Sequence, residues 1–238
     1  MAFDVPANIV LPVDDIDVRL DPGPHPIQRD RAQAIAENWE RERALKPALF
    51  DGTVVLLSEL AYAGGRLSGR CHAVGYSTFL YWRKDGAATA MHAFAHAMLV
   101  SSDNALVAIR MADHTVNAGR VYFAAGSFEP EDFVDRQVDV HFNMAREVGE
   151  ETGLDLDPVR RDERHHALSL ANGTVIFRRY YLDMPADEIA RRIAAHAATE
   201  EMPEIAESVV IRSANDLPDG LMPHMKPLIE WHFSPFSP

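Results

Sequence analysis

Three glutamates, Glu147, Glu150 and Glu151, stand close together in a stretch otherwise patterned as a helix, and they constrain this chain more than any other feature. At 100° per residue they fall at i, i+3 and i+4, within an arc of about 100° on one face. Like charges so spaced cost a helix roughly 0.2–0.5 kcal/mol per pair, so a bare surface helix gains nothing from them, whereas a hard divalent cation would neutralise the patch. Beside the carboxylates, Val140, Met144, Ala145 and Val148 form an apolar stripe. Gly153 stands where a helix C-cap glycine is expected, with Leu154 just after it. One face is therefore set to pack and the neighbouring face to bind. The bland alternative is a solvated acidic helix that binds nothing.

The nine residues from Arg146 to Leu154, REVGEETGL, resemble the Nudix box, written G-x5-E-x7-R-E-U-x-E-E-x-G-U with U aliphatic, and match its second half throughout. The first half departs from the pattern. Six residues on from Gly126 stands Asp132 in place of a glutamate, Glu129 falls where many members carry an acid, and residues 133–145 supply thirteen spacers instead of seven. The six added residues are expected to lengthen the loop entering the helix or to add a turn at its start.

The resemblance implies roles position by position. Glu147, Glu150 and Glu151 would hold Mg²⁺ or Mn²⁺, the carbonyl of Ala125 would complete the site, and Arg146 would orient a carboxylate through a charge-assisted hydrogen bond. The implied reaction is attack of a metal-activated water on a diphosphate linkage. Some Nudix enzymes recruit a general base from a loop outside the box. Glu201 and Glu204 are the candidates here, and a merely solvated loop is the alternative. Arg178 and Arg179 share a strand, so only one faces a given side, and Arg178 is taken as the candidate for a substrate phosphate. A Trp-bearing helix, the turn Pro47-Ala48-Leu49-Phe50-Asp51-Gly52 and the segment Gly75-Tyr76-Ser77-Thr78-Phe79 resemble a Nudix subgroup that hydrolyses UDP-sugars. Tyr76 is accordingly a candidate for stacking on a base, with packing as its rival.

Composition narrows the partners. A net charge of −13 argues against a nucleic-acid surface, which needs a basic stripe, and leaves an anionic substrate dependent on cations at the site. The single cysteine, Cys71, allows no internal disulfide, and a cytoplasmic location is the simplest expectation. Neither a signal sequence nor a run of about 18 apolar residues is present, so membrane insertion is not expected. Nothing in the pattern fixes the assembly, and a homodimer is left open.

In chain order, NIVLPV and DVRL read as short strands before the turn Asp21-Pro22-Gly23. A helix is expected from Pro26 to Lys46 with Ile27, Ala34, Ile35, Trp39 and Leu45 on its apolar side, stopped by Pro47. A strand over Thr53–Leu57, two more around Gly64-Gly65 and an aromatic segment with Tyr76, Phe79, Tyr81 and Trp82 follow. Residues 92–111 read as a hairpin turning at Ser101-Ser102-Asp103-Asn104. On such a strand His92 and His96 are too far apart for an ordinary pair of zinc ligands. The strand Arg120–Ala125 runs into Gly126. Beyond the box come a hairpin turning at Ala171-Asn172-Gly173, whose sequon needs secretion to matter, and an amphipathic helix from Pro185 to Ala198 with Ile189 and Ile193 inward. A strand over Ser208–Ile211, a short closing helix and a frayed SPFSP tail complete the chain.

The expected fold is α/β: a Nudix α/β/α sandwich with a mixed sheet over residues 88–218, an N-terminal strand-helix-strand extension over 1–87 packed on it, and a closing helix and tail over 219–238. The expected activity is Mg²⁺- or Mn²⁺-dependent cleavage of a small-molecule nucleoside diphosphate derivative. A nucleotide-sugar comes first, then ADP-ribose, dinucleoside polyphosphates and coenzyme A derivatives. A catalytically silent nucleotide-binding or regulatory module on the same scaffold is the alternative from another class.

Overall fold

The computed structural model describes residues 2–86, 88–171 and 173–234. Among them the elements run β1 (Phe3–Asp4), β2 (Val10–Val13), β3 (Asp15–Leu20), α1 (Pro26–Asp30), α2 (Ala32–Leu45), β4 (Thr53–Ala63), β5 (Arg66–Gly75), α3 (Tyr76–Asp85), β6 (Ala93–Val100), β7 (Leu106–Met111) and β8 (Val121–Tyr122). A 3₁₀ turn (Pro130–Asp132) leads to β9 (Phe133–Val134), β10 (Gln137–Val138) and α4 (Val140–Thr152). After these come β11 (Arg160–Arg161), β12 (His165–Leu170), β13 (Gly173–Tyr181), α5 (Ala186–Ala197), β14 (Ile205–Ile211) and α6 (Met225–Phe233). The protein is mixed α/β. It divides into two compact units, the first made of Met1–Phe94, Ser127–Val140 and Ser169–Thr174, the second of Ala95–Gly126, His141–Leu168 and Val175–Pro238.

The first unit is built on a mixed sheet in the order β1-β4-β5-β3-β10-β9. Strands β4 and β5 pair antiparallel around Gly64 and Gly65, both at positive φ, while β3 joins β5 and β1 joins β4 in parallel. Two expectations, the single first helix and the loop or turn before the box, are corrected here. The helix foreseen from Pro26 to Lys46 is two helices, broken at Arg31, which leaves the helical region with φ −125°. Ile27 and Ile35 are buried as expected, but Trp39 is half-buried and Leu45 is exposed. The aromatic segment, whose residue pattern carries no element type, is α3, and its rings pack: Phe79 and Trp82 join Ile27, Leu56 and Val74 in a core cluster with Tyr76 and Tyr81 packed against it. The residues added before the box form neither a plain loop nor a helical turn. They fold as the hairpin β9–β10, turning through Asp135 (φ 50°) and Arg136 (φ 69°), and β10 pairs antiparallel with β3.

The second unit carries the strand order β14-β7-β6-β13-β12, with β8 beside β7 and β11 beside β13. Alternation along β13 shows how this sheet is covered. Tyr180 meets His141 and Met144 of α4, whereas Phe177 and Arg179 meet Trp231 of α6, so a helix lies on each face. The hairpins foreseen over residues 92–111 and 166–184 are present as β6–β7 and β12–β13, as is α5 with Ile189 and Ile193 fully buried. The strand expected over Arg120–Ala125 is regular only at Val121–Tyr122, and that expected over Ser208–Ile211 starts earlier, at Ile205. Asn172 of the second hairpin's turn and residues 235–238 of the tail lie outside the described residues. No helix among the described residues is long and apolar enough to cross a membrane.

Candidate active site

The acidic face of α4 is held against the chain leaving β8. Val121 and Phe123 are fully buried, which fixes the path to Ala125 and Gly126. On the helix side Met144 and Val148 are fully buried, and they turn Glu147 and Glu151 toward the same point. The Ala125 N–H donates to the Glu151 carboxylate at 2.9 Å. A Cβ built on Gly126 would overlap the Glu147 carboxylate, so the absence of a side chain at 126 is what lets Glu147 lie there. At the helix end the Gly153 N–H closes on the Gly149 carbonyl, with Gly153 at φ 70° and its α-carbon packed on the His196 ring. His196 Nε2 lies 3.0 Å from the Glu150 carbonyl, one of the acceptors the helix terminus leaves over.

Arg146 gathers the other two carboxylates. Its guanidinium is 2.9 Å from Glu147 and 3.3 Å from Glu150, whose side chain is 62% exposed. Glu151 is the electrostatically stressed member: burial first, then the charge of Glu147, pushes its carboxyl well above the usual carboxylate range, against the pull of the Ala125 N–H. The charges of Glu204 and Glu150 push the same way. Tyr122 rises to about 12 through burial, opposed by the Asn117 hydrogen bond and assisted by Glu151, Glu204 and Glu147. Glu204 thus bears on the cluster, which sequence alone left level with Glu201. Both glutamates are exposed, and only Glu204 figures among the charges acting on Glu151 and Tyr122.

The other expected residues lie as follows. Arg178 is buried on β13 and donates to the Tyr180 hydroxyl at 3.2 Å. Arg179, on the opposite face of β13, pairs with Asp162 at 2.6 Å. Tyr76 is packed at 5.8 Å from Phe79 at the edge of the first unit's core, as the packing alternative had it. Asp132 is fully buried and accepts from the Glu129 N–H at 2.8 Å in the cap of the 3₁₀ turn. His92 Nε2 meets Ser127 Oγ at 3.0 Å, and His96 Nε2 meets His224 Nε2 at 2.9 Å. Sequence reasoning missed Tyr122 and His196. Tyr122 lies three residues before Ala125 on a strand already known to feed the box, a usable signal, whereas nothing in the periodicity of α5 marks His196.

No protein-family model and no curated protein matches the chain. Among solved structures it is similar to a MutT protein from Methanosarcina mazei Go1, with 16% identity over 60% of this chain and 92% of that one and a TM-score of 0.40. A MutT Nudix hydrolase from Burkholderia pseudomallei gives 14% identity over 58% and 96%, with a TM-score of 0.37. The Nudix domain of Shewanella oneidensis NrtR, complexed with ADP-ribose, gives 11% identity over 51% and 72%, with a TM-score of 0.32. Two of these three structures bear the Nudix name. At these scores the superpositions are loose, and none of them assigns a residue its role.

The donor set of Glu147, Glu150 and Glu151 fits a hard divalent cation in kind, since it consists of carboxylate oxygens. Among the described residues no three His, Cys, Asp or Glu side chains are gathered as a ready ligand group. Glu147 and Glu150 are turned to Arg146 and Glu151 to the Ala125 N–H, so an ion would be held by exchanging those contacts for its own. Relief of the repulsion at Glu151 favours the exchange.

Proposed function

We propose that this protein is a Nudix-type pyrophosphohydrolase that uses Mg²⁺ or Mn²⁺ to cleave a nucleoside diphosphate linked to a second group. The observation that carries this reading is the docking of Glu151 on the Ala125 N–H beside Glu147 in the space Gly126 leaves open. Glu147, Glu150 and Glu151, with the Ala125 carbonyl, would hold the ion. When bound, the ion lowers the pKa of a water and screens phosphate oxygens.

The chain's own residues supply the rest. Arg146, between Glu147 and Glu150, fixes the orientation of the carboxylate it keeps. Glu204 is the residue assigned to take the proton of the attacking water, since its charge, unlike that of the equally exposed Glu201, acts on Glu151. Arg178 is the strand residue assigned to a substrate phosphate. A nucleotide-sugar is the first substrate class, followed by ADP-ribose, dinucleoside polyphosphates and coenzyme A derivatives. Cytoplasmic action is the setting in keeping with the lone, buried Cys71.

A second reading is a silent nucleotide-binding module on the same scaffold. The hairpin inserted before α4 and the ungathered carboxylates favour it. Hydrolysis of a panel of these substrates with Mg²⁺, Mn²⁺ or chelator separates the two. The enzyme reading expects metal-dependent turnover of one class, reduced about 10²-fold or more by Glu150→Gln, Glu151→Gln and Glu204→Gln but not by Glu201→Gln. Nucleotide binding without turnover across the panel would establish the module instead.

A further inference from the structure

The second unit buries a cation for which it supplies no anion. Arg178 is 7% exposed, and a guanidinium stays charged at any ordinary pH. Its Nη2 donates to the neutral Tyr180 hydroxyl at 3.2 Å, its Nε has no hydrogen-bond partner, and no carboxylate among the described residues pairs with it. The adjacent residue shows what this strand does when it satisfies an arginine. Arg179, equally buried, is tied to Asp162 at 2.6 Å and lies over the Trp231 ring at 4.6 Å. Burying a charge without a partner is strongly unfavourable, so the contrast calls for a missing counter-charge at Arg178.

Two imidazoles belong to its surroundings, one across the strand pair and one joined to it through the Tyr180 hydroxyl. Strands β12 and β13 are neighbours joined by a two-residue connection, which leaves only antiparallel pairing. The stacking of His166 on Phe177, at 5.5 Å, then sets His165 across from Arg178. The His165 Nε2 is buried and also lacks a partner. His141, from the first turn of α4, lies with Nδ1 2.8 Å from the Tyr180 hydroxyl, while its Nε2 points to Asp157 at 3.5 Å. His165 and His141 are half-buried, so the cluster opens outward past them. Burial first, then the charges of Arg178, His141, His166 and Arg161, pulls His165 down to about 3, so it stands as a neutral donor.

We propose that Arg178 and His165 form a binding site for the phosphoryl group of a small molecule, which supplies the counter-charge this strand omits. A tetrahedral oxyanion matches the arrangement: one oxygen takes the guanidinium edge and another takes the Nε2–H of a neutral imidazole. The site stands whether or not the carboxylates of α4 are catalytic.

The test is thermal melting and calorimetric titration with inorganic phosphate in chelator-treated, metal-free buffer, so that neither an ion at the carboxylates nor turnover enters the reading. Saturable binding is expected, with a rise in melting temperature that Arg178→Gln lowers at least tenfold in apparent affinity and Arg178→Lys lowers less. Without phosphate, Arg178→Gln is expected to melt no lower than the native protein, since it removes an uncompensated charge. Should that variant fail to fold, His165→Asn is read instead, with the same loss expected. Ribose 5-phosphate and a nucleoside monophosphate are then titrated to separate a simple phosphomonoester from a nucleotide as the source. No saturable shift in the native protein, an equal shift with chloride, or unchanged affinity in the variants would overturn the assignment. Because the readout is binding without metal, its failure removes Arg178 from phosphate recognition but leaves hydrolysis at the carboxylates of α4 standing, and loss of hydrolysis leaves this site standing.

Discussion

Gly126 has no room for a methyl group while Glu147 keeps its place, yet what the methyl would meet is the end of a flexible side chain rather than backbone. Gly126→Ala is therefore expected to cost little stability, within about 1 kcal/mol, while displacing Glu147 and weakening Mg²⁺ or Mn²⁺ binding about tenfold or more. Calorimetric titration of the metal alongside a urea melt checks both halves. A variant that binds metal as well as the native protein would remove Glu147 from the site. At this scale the sequence was informative where the chemistry is local. The spacing of Glu147, Glu150 and Glu151 and the position of Gly126 follow from one helix and one strand end. The effect of Glu204 on Glu151, the burial of Arg178 without a counter-charge and the packing of His196 under Gly153 depend on residues distant in the chain, and no periodicity carries them.

Among the elements, α4 depends most on its last residue's neighbour. Gly153 sits at φ 70°, and a Cβ there would lie 2.6 Å from the His196 ring. Gly153→Ala should cost roughly 1–3 kcal/mol, read as a lower urea midpoint at unchanged slope, because it combines left-handed strain with crowding. An effect under a few tenths would mean that the helix end is not held as described. Element type was legible wherever a face was buried regularly: α5 with Ile189 and Ile193, the two hairpins of the second unit, and α4 itself. It was not legible in three places. Arg31 breaks the first helix without a glycine or proline to announce it. The aromatics of α3 fit a strand by propensity and a helix by burial, and tertiary packing decided. The β9–β10 turn uses Asp135 and Arg136 at positive φ where such a hairpin ordinarily carries glycine.

On the scale of the whole molecule, acid should be the sharpest stress. His166 and His224 are each held near 4 by burial, against 6.5 for an unperturbed histidine. Their folded values are depressed, so above about pH 6.5 neither state binds the proton and they contribute nothing. As pH falls from 6.5 toward 4 the unfolded chain takes up protons that the folded one refuses. Stability should drop by about 1.4 kcal/mol per pH unit for each such histidine, levelling off below 4. Urea unfolding at pH 7 and pH 5 checks this, and His166→Asn should flatten the difference; equal stability at both values would show the rings to be protonated in the fold. The pairing of β10 with β3 has a further consequence for how the chain can be divided. The residues that lead into α4 hang on a strand encoded more than a hundred positions earlier, Gln137 on Arg19. A fragment begun at residue 88 would keep every carboxylate of α4 yet strip that hairpin of its neighbour, exposing a bare strand edge to proteases and to other copies of itself. The front of the chain is thus no detachable appendage, and trimming it would loosen the approach to the acidic helix before touching any residue of it.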